Sequence, residues 1–163
     1  MKFELNASRF ALSATLAIAA FAALPAGSAL AGECPADQVA ANAMEPGAMK
    51  PKGVTDNVLS SIDLSVQGDA WKNRSLRLRK LVVQPGGIVP WHSHEARPAN
   101  ILVVSGSITE YSSNCKVPIE HKAGDATAEF GQLAHWWKNN GKKPAVLYSA
   151  DILTSDMNTD GTM

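Results

Sequence analysis

From Val58 to Leu153 the sequence is a succession of short β-type runs, each cut off by turn residues before it can lengthen. The runs fall at 58–64, 75–84, 88–92, 99–104, 107–111, 117–121, 127–129, 134–138 and 145–153, and they are rich in Val, Ile, Leu, Thr or aromatics. Gly68-Asp69, Pro85-Gly86-Gly87, Ser105-Gly106, Ser112-Ser113-Asn114, Gly124-Asp125 and Asn139-Asn140-Gly141 separate them. Many short strands at this spacing cannot build a parallel sheet, whose crossovers need a dozen or more residues each. They predict an all-β fold, an antiparallel sandwich or barrel. No internal repeat divides it.

Upstream the texture differs. Residues 32–57 are rich in Ala, Pro, Gly and Met without a sustained period, and Pro35, Pro46 and Pro51 break any long helix. A coil-like N-terminal arm is expected there, then a barrel over 58–154, then a polar frayed tail over 155–163. Residues 1–31 read as a cleaved secretory leader: Lys2 and Arg9, an apolar run from Ala11 to Leu24, then Ser28-Ala29-Leu30-Ala31. The apolar run, at about 14 residues, is short for a membrane span of roughly 20, which leaves a retained anchor as the lesser alternative. A periodic-free, soluble product in the periplasm or outside the cell follows, with no membrane attachment after cleavage.

Without residues 1–31 of the 163, 132 remain, enough for one domain with one core. The leader takes Lys2, Arg9 and Glu4 with it, so 15 bases and 15 acids become 13 and 14. A chain so nearly neutral, with no basic run longer than Lys142-Lys143, is not built to bind nucleic acid by charge. The expected partner is a small molecule, and self-association to a homodimer is open. Cys34 and Cys115 both survive cleavage. In an oxidising compartment a disulfide is expected, closing a loop of about 80 residues; two free thiols are the alternative.

The chemistry concentrates on histidine. Of four in the chain, His92 and His94 form a His-x-His pair, and His135 precedes Trp136-Trp137. On an extended strand, residues two apart project from one face, so both imidazoles of the pair point together. Neutral imidazole is the commonest protein metal ligand. There is no Gly-rich phosphate loop, no Ser nucleophile elbow and no CxxC pair. Any catalysis would rest on a metal.

These two regions resemble the two motifs of the cupin family. Gly86 is followed by five residues and then His92-Ser93-His94, and Gly106 closes the first motif at the expected distance; Gly124-Asp125, His135 and Asn139 stand at matching places of the second. The resemblance covers about residues 75–152 and implies a small antiparallel jelly-roll barrel with a metal held inside by the motif histidines. Two departures matter. The family's glutamate belongs three or four residues beyond His94, where this chain has Pro98 and Ala99, and Phe130-Gly131 replaces the Pro-x-Gly of the second motif. The only nearby acid, Glu95, is adjacent to His94 and would face away. The resemblance therefore implies a metal on His92, His94 and His135 alone. Three neutral ligands leave a divalent ion Lewis-acidic, with positions open for water, oxygen or a chelating substrate. Three-histidine cupins such as the thiol dioxygenases use Fe(II) in this way, while Zn, Ni, Cu or Mn also suit imidazole. A non-catalytic metal- or ligand-binding barrel and a barrel with a vestigial site are the alternatives.

Other residues are weighed on parity. Trp137 shares a face with His135 and is a pocket-wall candidate; Trp136 and Trp91 should pack elsewhere. Arg97, just beyond the pair, is a candidate to fork a substrate carboxylate. His121 is expected as a surface or hydrogen-bonding residue. Glu110 and Glu129 could replace the motif carboxylate but are expected to face solvent, and Arg77 and Arg79 could line a barrel mouth but are expected on a solvated face.

Overall fold

A computed structural model describes residues 32–155. The expected leader (1–31) and the tail beyond Ser155 lie outside the described residues. Eight strands run through the rest: β1 (Lys52–Asp63), β2 (Arg74–Ser93), β3 (Ala99–Ser105), β4 (Ser107–Ser112), β5 (Ile119–Lys122), β6 (Ala126–Glu129), β7 (Ala134–Lys138) and β8 (Ala145–Thr154). The helical elements are short 3-10 turns at Ala36–Gln38, Leu64–Gln67 and Asp69–Trp71. No described helix is long and apolar enough to cross a membrane.

All strand pairings are antiparallel, in the order β5-β4-β7-β2-β8-β3-β6 with β1 added against β2. The two ends of that order, β5 and β6, are consecutive in sequence. Their turn closes onto β3, where Gly124 donates to the Val103 carbonyl and Val103 to that of Asp125. The sheet thus curls into a nearly closed barrel, the all-β jelly roll that the strand spacing predicts.

β2 is one strand where the sequence suggested two. Pro85 lacks an amide hydrogen and Gly86 sits at φ 72°, so the chain bends there without ending. The bend moves β2 from one neighbour to another: 74–83 pair with β8, whereas 88–93 pair with β7. This partner switch brings the His92 region beside His135. β1 starts at Lys52, earlier than the hydrophobic pattern suggested, because in 52–57 only Val54 is apolar, on a largely exposed outer strand.

The core follows the period-two rule. Leu81, Val83 and Val89 of β2, Ala99, Ile101 and Val103 of β3, Ile108 of β4, Trp137 of β7, and Ala145 and Leu147 of β8 form one buried cluster. Outside, Leu59, Ile62, Leu76, Leu78, Leu102 and Val104 remain exposed on β1, β2 and β3.

The arm is held at both ends. Cys34 and Cys115 are disulfide-bonded with Cα atoms 5.8 Å apart. Beyond the bridge, Val39 pairs with Cys115, Ala40 donates to the Asn114 carbonyl, and Trp91 donates to that of Ala48. Gly47 lies flat on the Trp136 ring, where a Cβ would collide with the indole.

Candidate metal centre

The site forms where β2 and β7 meet. After the inward Val89, opposite Trp137, an irregularity at Pro90-Trp91 resets the register so that His92 stands opposite His135. His94 lies just past the strand, its amide donating to the Leu133 carbonyl, and a tight turn returns Arg97 to it. The three rings converge, with centroids 4.7 to 4.9 Å apart. His94 Nε2 lies 3.0 Å from both His92 Nε2 and His135 Nε2. The structure brings these three together, and as a group they could hold a metal ion.

Each ring is aimed by a partner on its other nitrogen. His92 Nδ1 is 2.8 Å from the Pro90 carbonyl and His94 Nδ1 is 2.9 Å from that of Arg97. A carbonyl only accepts, so both rings carry their hydrogen on Nδ1 and, when neutral, leave Nε2 bare. Burial, then the charge of His135, pushes the pKa of His92 down to about 2 and that of His94 to about 3, so both are neutral. Two bare lone pairs therefore face each other across 3.0 Å with no hydrogen between them. That arrangement is repulsive unless a cation joins them.

His135 is oriented by a carboxylate. Its Nδ1 lies 2.7 Å from Glu110 Oε1, while His121 Nε2 lies 2.8 Å from Glu110 Oε2. Burial opposes charge on Glu110, but hydrogen bonds from His121 and His135 outweigh it and hold its pKa down at about 2. A carboxylate behind a ligating imidazole fixes its tautomer and raises its basicity. Burial also opposes charge on His135, yet Glu129 and Glu110 outweigh it and raise its pKa. Trp137 Nε1 donates to His135 Nε2 at 3.3 Å, which favours a bare nitrogen there. The carboxylates are the stronger influence, so a proton on His135 is what a metal must displace.

Several parity readings are corrected. Glu110 and Glu129 do not face solvent: they are 4% and 2% exposed. Glu110 follows Ile108 on the inward face of β4, and Glu129 ends β6 opposite the buried Ala99. His121 is no surface residue either. It is fully buried, stacks on Trp137 at 4.6 Å and leaves Nδ1 without a partner. Arg79 is buried, and Arg77 pairs with the buried Asp151, because both continue the inward face of Leu81 and Val83. Glu95 is exposed, as expected, and Trp136 packs away from the site, stacked on Tyr111 at 4.1 Å.

A cavity opens beside the histidines, walled by Trp137, Val89, Leu81, Ile101 and Leu147 and lined by Arg79, Arg97 and Glu129. Trp137 and Arg97 both line it. The centres of water-sized molecules have about 30 Å³ to occupy in it. Since one water needs about 10–15 Å³ on that measure, only a ligand of a few heavy atoms fits without movement. Arg97 is 5% exposed, yet no ion pair forms to it among the described residues and its Nε has no partner. Burial and the neighbouring Arg79 charge both lower its pKa. Glu129 is its counterpart in sign. Burial drives that carboxyl up to about 7, and Oε1 has no hydrogen-bond partner.

Asn139, at its motif position, is structural. Its Nδ2 donates to the Val83 and Lys143 carbonyls, both at 2.8 Å, and its Oδ1 accepts from Gly141. Gly106 is likewise fixed by the backbone: at φ 76° a Cβ would lie 2.6 Å from the Pro144 carbonyl oxygen.

The cupin-domain family model matches residues 79–151, the segment that carries the site. The barrel is a cupin domain. Among curated proteins the chain is similar to germin-like protein 5-1 of Oryza sativa, 33% identical over 73 residues. That match takes in 42% of this chain and 32% of the relative, so the chain matches only about a third of the relative's length. Among solved structures it is similar to a predicted oxalate decarboxylase from Thermotoga maritima, with TM-score 0.51 and 18% identity. That likeness covers 71% of this chain and 97% of the other. KdgF from a Halomonas species matches with TM-score 0.49 and 16% identity, over 64% of this chain and 84% of the other. At 18% identity the Thermotoga structure speaks for the fold alone.

Proposed function

We propose that this cupin binds one divalent transition metal through His92, His94 and His135 and uses it on a small anionic molecule. The observation that carries this is His94 Nε2 standing 3.0 Å from both His92 Nε2 and His135 Nε2, with two of the three bare because their Nδ1 hydrogens are committed to carbonyls. Donors about 2.1 Å from one ion stand about 3.0 Å apart at right angles, so the spacing suits a shared ion. Bound there, a redox-active ion such as Fe(II) would supply oxygen chemistry, and the leading reading is a dioxygenase-like oxidoreductase; Zn, Ni, Cu and Mn also suit imidazole. Arg97 supplies the substrate anchor. A buried guanidinium without a counter-charge is costly to hold, and a carboxylate entering the cavity would satisfy it bidentately. Trp137 and the aliphatic wall exclude water around it.

The second reading is a metal- or ligand-binding module without catalysis, favoured by the small cavity. Metal analysis of the purified mature protein, then oxygen uptake by the Fe(II)-loaded form with a panel of small carboxylates, separates the two. Uptake stimulated by one carboxylate supports the enzyme; tight metal without uptake supports the module; no metal under any reconstitution leaves a vestigial barrel. The disulfide suits an exported protein, and with residues 1–31 as a leader we place it in the periplasm or outside the cell. An intact mass beginning near Gly32 would support that placement, and one retaining 1–31 would defeat it. The exposed aliphatic side chains of β1 to β3 are the face through which a homodimer would form.

A further inference from the structure

We infer that Glu129 is a fourth ligand of this ion, its carboxylate displaced across a strand pair from the position where the cupin motif places one. The inference rests on the metal reading above and concerns what else completes the shell. Counting from His94, the motif glutamate falls at Ala99, seven residues before Gly106. Ala99 is the register partner of Glu129 in the antiparallel β3–β6 pair. Partners in such a pair have Cβ atoms about 4.5–5.5 Å apart on the same face of the sheet. Both residues are buried, so a carboxylate on β6 reaches the volume that one on β3 would have filled.

The distances agree. Glu129 Oε2 is 3.1 Å from His94 Nε2, and Oε1 is 3.5 Å from His135 Nε2. Ligands about 2.1 Å from one ion stand about 3.0 to 3.4 Å apart, at octahedral or tetrahedral angles. No other group accounts for this carboxylate. Its Oε1 is buried without a hydrogen-bond partner, and no arginine or lysine pairs with it among the described residues. Oε2 faces a histidine nitrogen whose hydrogen sits on the opposite side of the ring, at the Arg97 carbonyl. Two acceptors that close share either a proton or a metal ion, and three imidazoles converging on the same point favour the ion. The small Ala99 leaves room for the longer reach from β6, and the exposed Glu95 offers no competing oxygen. A set of three imidazoles and one carboxylate is harder and more anionic than three imidazoles, which shifts preference toward Fe(II) and Mn(II).

Co(II) serves as a visible probe. The mature wild type, Glu129→Gln, Glu129→Ala, the double variant Glu129→Ala/Ala99→Glu and His135→Ala are titrated with Co(II), with melting curves as a check on folding. Both Glu129 single variants should lose at least about 100-fold in affinity, the upper end of what outer-shell changes produce, and should alter the d–d absorption bands. The double variant should regain affinity and spectrum. Glu129→Gln binding within about twofold of wild type, with unchanged bands, overturns the inference while leaving the three-histidine site intact. Failure of wild type to bind Co(II), or binding that survives His135→Ala, overturns the underlying metal reading as well. A crystal structure of Co(II)-loaded wild type decides the ligand directly. A Glu129 oxygen about 2.0–2.2 Å from the ion supports the inference, and one beyond about 3 Å refutes it.

Discussion

Two groups of charged side chains are buried in the same barrel, and they are matched to opposite degrees. In one, Arg77 grips Asp151 through Nε and Nη2 at 2.9 and 2.7 Å, and Arg79 pairs with both Asp56 and Asp151. Arg79 Nε and Asp56 Oδ1 are left over, but every charge has an opposite charge beside it. In the other, Arg97 forms no ion pair among the described residues, Glu129 meets only histidines, and three imidazoles turn nitrogens toward one point. Folding alone explains the first group, since its pairs offset much of the cost of burial. The second group lacks such arginine and lysine pairs for its carboxylates, and the proposed metal and anionic ligand would supply the counter-charges. Burial places both groups inside; only the pairing distinguishes structure from site.

The comparison can be broken by removing one member of each group. The largest effect is expected at Asp151, whose loss strands Arg77 and leaves Arg79 with Asp56 alone. Asp151→Ala should cost about 3–5 kcal/mol in chemical denaturation, as for breaking any buried pair. If it is tolerated, the first group is not structural. Next is the clamp on the arm. Cys34→Ser should cost about 2–5 kcal/mol and lower the melting temperature, and alkylation of the native wild type should label neither thiol until reduction. Arg97→Met should reverse the pattern of Asp151. With no pair to break it should leave stability within about 1 kcal/mol or raise it, while binding of a small carboxylate, followed by calorimetry on the metal-loaded protein, falls at least tenfold. A marked loss of stability would mean that Arg97 is already satisfied. Glu95→Ala should change neither stability nor metal affinity measurably, since its side chain is exposed and one residue out of phase.

Much of this was legible in the residues. The turn punctuation gave the barrel, period two placed His92, His94 and Trp137 on shared faces, and the expectation of an oxidising compartment paired Cys34 with Cys115. Other inward residues were legible but read against their own pattern. Arg77 and Arg79 continue the face of Leu81 and Val83, Glu110 follows Ile108, and His121 follows Ile119. The assumption that charge faces water overrode the alternation that carried the answer. Glu129 is different. The four-residue β6 has no apolar alternation to set its face, and its relation to the gap at Ala99 depends on β3–β6 register, which no local pattern fixes. Likewise the Pro85-Gly86-Gly87 signal marked a break, where the chain bends and changes partner instead.

The central claim is that one ion joins His92, His94 and His135. Its most direct test is equilibrium metal titration of the mature protein, with bound metal counted by elemental analysis, beside His135→Ala folded to the same melting profile. One divalent ion per chain in the wild type, and loss of most binding in His135→Ala, is the expected result, because the two remaining histidines make a poor shell. An equal stoichiometry and affinity in His135→Ala, or no metal in a well-folded wild type, would contradict it.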